Sequence, residues 1–312
     1  MRGKNSPAAP RPGPAFTLAD THHHYWDLRL GKNPWLCQEP PLPFRYGDYS
    51  ALRRNYLPAD YARDSAGFRV SAAVVVEAEW DPSDPTGETR WLHELLAVDP
   101  VPRMIVAQAW LDREDVEDVL AAQAAFPRVR GVRHKPRAAS APDQVRRGLP
   151  GSMDDPKWRR GYALLSQFGL SFDLQTPWWH MAEAAQLAMG FPGTPLIINH
   201  AGLPADRSPE GLAGWRRAME AVAGCPNVSV KISGLGQPGV PWTVELQRPV
   251  VQTVIRLFGA ERCMFASNYP VDSLVASYRT IYEGFQDIVK DFPAQARDAL
   301  FAGNARRIYR IG

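Results

Sequence analysis

The chain has 312 residues, 45% hydrophobic and 10% aromatic, enough apolar area for a large core and incompatible with global disorder. A net charge of +3, with 22% charged residues and no long run of Lys or Arg, gives no footprint for nucleic acid or an anionic membrane. No stretch approaches the roughly 18 apolar residues of a transmembrane helix, and Cys37, Cys225 and Cys263, with no CxxC spacing, fit reduced, buried thiols of a cytoplasmic protein rather than a disulfide framework.

Residues 1–15 are Pro, Gly, Ala and Arg without an apolar h-region and read as a disordered leader rather than a signal peptide; residues 16–312 read as one domain. The first predicted strand, 16–24, carries His22-His23-His24. Period-2 alternation puts His22 and His24 on one side, where two neutral imidazoles can hold a divalent metal or polarise a carbonyl and a water, so the motif speaks of hydrolysis. The irregular segment 28–60, heavy in Pro, Arg and Tyr, is long enough to read as a lid or substrate-binding loop beside the active face.

The next predicted strands are 70–79, ending in Glu77 and Glu79; 104–110, with Gln108 and Trp110; and 129–135, ending Arg133-His134-Lys135. Glu77 is preferred to Glu79 if the inward side is the one opposite Val74 and Val76. Strand 170–175 ends Asp173-Leu174-Gln175, and Trp178-Trp179-His180 then opens a helix, as an aromatic cap on the barrel or as a wall stacking on a flat substrate. Strand 195–200 ends Asn199-His200, strand 228–233 carries Lys231 and Ser233, and strand 263–267 runs into Ser267-Asn268. Lys231 serves either the substrate or a carboxylate inside the barrel, and His134 and His180, taken singly, read as hydrogen-bonded structural residues.

Eight strands, with helices such as 86–97, 113–125, 157–168 and 211–223 between them, predict a (β/α)8 TIM barrel in one domain with a long loop after strand one. A doubly wound sheet would show a Gly-rich first turn, whereas the Gly-rich stretch here, 234–239, follows strand seven and lacks a Walker lysine. Strand ends this polar are costly to bury without partners, so they converge on one pocket.

Four motifs in order, Asp20-Thr-His-His-His-Tyr-Trp-Asp27, Ile197-Ile-Asn-His-Ala-Gly-Leu-Pro204, Val230-Lys-Ile-Ser-Gly-Leu235 and Met264-Phe-Ala-Ser-Asn-Tyr-Pro-Val-Asp272, resemble the amidohydrolase superfamily, and more narrowly its lactonase-type branch, that of L-fuconolactonase and pyrone dicarboxylate lactonase. The resemblance runs from Asp20 to Tyr309 and implies hydrolysis of a cyclic ester, with His22, His24 and His200 in the histidine positions. Asn268 stands where the family usually has an Asp that activates water, and an amide cannot accept that proton. Strand five lacks the bridging lysine of two-metal relatives, which argues against a binuclear centre.

The resemblance thus implies one divalent metal, Zn²⁺ foremost, held by His22, His24 and His200, or the same histidines donating to a lactone carbonyl without metal. Asp272 ranks first as the replacement base, ahead of Glu77 and Asp173. Glu77, Arg133, Lys135, Asp173, Trp178 and Lys231 form the expected substrate-binding set, and the cations Arg133, Lys135, Arg207 and Lys231 suit a sugar-acid lactone or a carboxylated ring. The expected partner is a small-molecule substrate, with self-association left open. Two other readings stand beside this one: metal-dependent decarboxylation of an aromatic acid, and a barrel that has lost catalysis and binds a ligand.

Overall fold

The computed structural model describes residues 17–312, so the expected leader and Phe16 lie outside the described residues. Eight strands, β1 (Thr17–His23), β2 (Arg69–Val76), β3 (Arg103–Gln108), β4 (Val129–Arg133), β5 (Ser171–Leu174), β6 (Leu196–Ile198), β7 (Val228–Ile232) and β8 (Cys263–Phe265), pair in parallel and in sequence order. The seam between last and first closes past the end of β8: the Asn268 amide donates to the His22 carbonyl at 2.8 Å and the His24 amide to the Tyr269 carbonyl at 2.7 Å. This is the expected (β/α)8 barrel.

Period-2 alternation sorts each strand into two faces. Ala72, Val74 and Val76 of β2 turn into the barrel with Ala19, Val106, Ile197 and Met264, while Val75, Ile105, Phe172, Ile198, Val230 and Ile232 pack outward under the helices. Those helices start where local chemistry satisfies their free amides. Before Pro209–Ala223, Ser208 accepts from the Gly211 amide at 3.0 Å and Pro209 occupies the first turn, where its missing N–H is no loss.

The centre of the barrel is not wholly apolar. Asp173 and Lys231 face inward from β5 and β7 with Nζ 2.6 Å from Oδ2, both fully buried. Tyr309, from the C-terminal helix Asn304–Ile308 and the residue after it, enters from below and donates to the Asp173 carboxylate at 2.9 Å, with Lys231 Nζ 4.9 Å from its ring centroid. Asn199 Nδ2 donates to the same carboxylate at 3.0 Å. A buried ion pair is tolerated only when further hydrogen bonds satisfy it, and Tyr309 and Asn199 supply them.

All eight strands fall within a few residues of their expected positions, yet most stop early at their C-terminal ends: β2 ends at Val76 rather than 79 and β6 at Ile198 rather than 200. The missing residues leave the ladder because Glu79, His200 and Asn268 take positive φ, near 55°, which no strand tolerates. Cys225 and Cys263 are buried as expected, but Cys37 is exposed, carried outward by the loop after β1.

Tyr309→Phe removes the hydroxyl that caps the Asp173 carboxylate and should lower unfolding free energy by roughly 1–3 kcal/mol. Urea unfolding checks this, and an unchanged midpoint would show the plug to be ornamental to stability.

Candidate active site

The C-terminal ends of the strands surround a cavity of about 300 Å³, lined among others by His24, Glu79, Arg133, Lys135, His200 and Asn268. A larger hollow of about 860 Å³, bordered by Glu283, Asp287, Lys290 and Arg297, contains no histidine and is lined by the C-terminal helices and Thr17 at the start of β1. The chemistry therefore points to the smaller cavity.

The strand-one histidines reach it through an irregularity. Asp20 pairs with Ala73 but His23 with Val75, so three steps of β1 span two of β2. That extra residue puts Asp20 and His22 on opposite faces although they lie two apart. Asp20 turns outward, accepting from Tyr61 at 2.9 Å and from Ser267 Oγ at 2.6 Å, and burial raises its pKa. His22 turns inward, its ring centroid 4.6 Å from that of His200 and 5.0 Å from that of His24. His23 faces outward against Tyr61 and Arg103.

Two of the imidazoles are fixed by partners behind them. His24 Nδ1 lies 2.8 Å from the Val76 carbonyl, which can only accept, so Nδ1 carries the hydrogen and Nε2 is left bare toward the cavity. His200 Nδ1 lies 2.9 Å from Ser233 Oγ. Gly234 follows at φ +61°, where a Cβ would sit 2.7 Å from His200 Nδ1, so only glycine allows this approach. Burial first, then Arg133, brings the His24 pKa down to about 3; burial, then Lys231 and Arg45 respectively, holds His22 and His200 well below the usual imidazole value.

Arg133 is the hub of this end of the barrel. Its Nε donates to Glu77 Oε1 at 2.5 Å, Nη2 to the Glu77 carbonyl at 2.5 Å and Nη1 to Gln175 Oε1 at 3.1 Å, and Nη1 stands 3.4 Å from His22 Nε2. The expected substrate-binding role of Glu77 is thereby corrected. Val74 and Val76, not their opposites, face inward, and the Glu77 carboxylate is consumed by Arg133 and by the Glu79 amide at 2.7 Å. Glu79, ranked lower from sequence, lines the cavity with its carboxylate against Lys135.

Three further expectations are corrected. Asp272, the first-ranked base, is buried away from the cavity lining and accepts from Asn268 Nδ2 at 2.7 Å, Tyr46 hydroxyl at 2.9 Å and Arg45 at 3.5 Å. Burial raises its pKa against those donors, all three of which reach Oδ1. Asp173 and Lys231 are engaged with each other deep in the barrel and do not line the cavity. Trp178 packs toward Gly214 of the helix Pro209–Ala223, leaving Trp179 to face a neighbouring chamber. His134 accepts from Trp158 Nε1 at 2.7 Å, and His180 from the Ala139 amide at 2.9 Å, so both are structural.

The segment 28–60 does wall the site. Its base is tied by paired backbone bonds between Trp26 and Tyr56, and Trp35, Phe44 and Arg45 line the cavity. Sequence reasoning missed Arg45; the only signal was a cation flanked by Phe44 and Tyr46 in a loop facing the expected pocket. Among the described residues no three His, Cys, Asp or Glu side chains come together as a metal site.

The chain matches the family model described as Amidohydrolase over residues 19–311. It is 38% identical over 296 residues to the uncharacterized protein y4mH of Sinorhizobium fredii, covering 95% of this chain and 99% of that one. It is 28% identical over 298 residues to an L-fucono-1,5-lactonase of Burkholderia ambifaria, covering 94% and 95%. Among solved structures, an amidohydrolase from Burkholderia multivorans with HEPES bound superposes with a TM-score of 0.79 at 24% identity, covering 95% and 100%. An amidohydrolase of the same organism with zinc bound gives 0.78 at the same identity and coverage.

Five buried histidines, His22, His23, His24, His134 and His200, have pKa values below 6.5, to about 3 for His24 and about 4 for His134. The unfolded chain binds their protons first, so the stability they contribute is complete above pH 6.5 and is lost as pH falls toward 4. Three buried acids, Asp20, Glu88 and Asp272, have raised values and act in the opposite sense. With five groups against three, the melting temperature should be lower at pH 4.5 than at pH 7, as read by thermal unfolding; a flat profile would contradict neutral burial of the histidines.

Proposed function

This chain belongs to the amidohydrolase family of hydrolases, and from that membership and the chemistry of its cavity we propose that it hydrolyses a lactone, using water as the nucleophile. The observation that carries the proposal is the convergence of His24, His200 and the Glu79 carboxylate on one cation-lined cavity, with Glu79, His200, Leu203 and Asn268 all at positive φ. Non-glycine residues hold such backbone only where the surrounding structure enforces it, and the strain gathers here rather than across the surface. The L-fucono-1,5-lactonase relative favours the same reaction class.

The bare Nε2 of His24 accepts a hydrogen from the water and orients it. Glu79, the one carboxylate among the described cavity-lining residues, takes the proton as the water oxygen bonds to the carbonyl carbon. Arg133 and Lys135, with His200 donating from Nε2 when Ser233 donates to Nδ1, stabilise the developing oxyanion, a contribution of about 3–4 kcal/mol per donor. Collapse breaks the ring C–O bond, the alkoxide takes the proton back from Glu79, and the product is a hydroxy acid.

The residues present do not suit a divalent cation. The Nε2 of His22 already faces the Arg133 guanidinium, position 268 is a neutral amide, Asp272 is held off the cavity lining by Asn268 and Tyr46, and Arg45, Arg133 and Lys231 make the surroundings cationic. The Zn²⁺ expected at His22, His24 and His200 is therefore no part of the reaction proposed. No second reading is favoured by a particular observation.

Release of acid from a panel of aldonolactones, followed with a pH indicator, tests the reaction. Glu79→Gln and His24→Ala should each lower kcat/KM by about a hundredfold or more while circular dichroism shows the fold intact; variants within about twofold of the parent would sink these roles. Dialysis against a chelator should leave turnover within about twofold, and loss restored by zinc would overturn the metal-free route.

A further inference from the structure

Beside the main cavity lies a second chamber of about 170 Å³, and the two share Arg45 and Leu203 in their walls. Pro177, Trp179, Pro204 and Pro238 give it a stiff frame. Proline fixes its own φ and tryptophan has few rotamers, so the chamber is formed before anything enters it.

One wall carries Arg207. Its Nη2 donates to the Leu235 carbonyl at 2.9 Å and to Gln247 Oε1 at 3.2 Å, but Nε and Nη1 are buried without an acceptor among the described residues. Among the described residues no carboxylate pairs with it. Burial draws its pKa down to about 10, which still leaves it a cation at neutral pH. A buried, unmatched guanidinium with idle donors is unfavourable unless it acquires an anion. Arg45 contributes a second cation to the same wall, only loosely matched by Asp272 at 3.5 Å.

Resting on the lactone-opening reading, we propose that this chamber receives a carboxylate-bearing arm of the substrate, paired to Arg207, while the lactone ring occupies the main cavity next to His24 and His200. The substrate class is then an anionic lactone whose carboxylate lies on the Leu203 side of the ring. Arg45, at the junction of the two spaces, meets both the ring and the arm.

The test needs no turnover. Calorimetric titration with adipate and with its monoamide compares ligands that differ in one carboxylate. The parent protein should bind adipate about tenfold more tightly than the monoamide, and Arg207→Gln should reduce that preference to about twofold or less. Ala205→Phe, which narrows the chamber from its exposed rim without touching the cation, should abolish the preference as well and guards against misfolding of the first variant. Equal affinities in the parent, or an undiminished preference in both variants, would overturn the proposal. Lactone turnover without the preference would remove the chamber and leave the reaction standing; the preference without turnover of any lactone would remove the reaction alone.

Discussion

The buried contact between Arg133 and Glu77 organises this end of the barrel. It ties β4 to the point where β2 breaks, and Nη1 reaches Gln175 and the edge of His22. A pair so enclosed adds little net stability, yet loss of either partner strands a charge at a cost of about 3–5 kcal/mol. Its value lies in what the cation imposes. Burial first, with this and neighbouring cations adding to it, disfavours protonation of the three imidazoles, and neutral imidazoles with fixed partners have defined donor and acceptor edges. This ion pair therefore helps set the polarity of the cavity while its carboxylate takes no part in the reaction proposed.

Backbone strain forms a second layer of the same arrangement. Glu79, His200, Leu203 and Asn268 sit where their strands have ended, each turned by positive φ away from the direction the strand would give it. The turns are held by what lies behind them: Asn268 through its amide to the His22 carbonyl and its side chain to Asp272, His200 through Ser233. Asp272 thus works as a scaffold, joining the loop of Tyr46 to the end of β8.

Much of the barrel was legible because alternating apolar residues and helical spacing repeat eight times and each repeat supports the others. The pairing of His22 and His24 on one face was legible too, although Asp20 left that face through a register shift that no periodicity announces. The failures share a cause. Period-2 reasoning assigns Glu77 and Glu79 to one face, but β2 ends at Val76, and beyond it direction is set by positive φ and by the reach of Arg133. Asp272 could be placed near the site by its distance from Asn268, but not the Tyr46 and Arg45 donors that hold it, since these come from a loop some 226 residues away in sequence. Trp178 and Trp179 differ by one position in a 3-10 turn, and which one faces a cavity depends on Gly214 leaving room for the other.

The plug formed by Tyr309 bears on how such a chain is made. Asp173 and Lys231 come before Tyr309 in the sequence, Asp173 by 136 residues, so the hydroxyl that completes their surroundings is synthesised well after them. A nascent chain still lacking that turn would leave an ion pair at the bottom of a barrel open to water. The segment that closes the seam between β8 and β1 precedes the plug by only some forty residues. Domains that fold from the amino end as they emerge gain little here. The barrel must instead be held incomplete, its apolar interior exposed, until Tyr309 has emerged, which makes that interval the stage at which chaperones have most to protect.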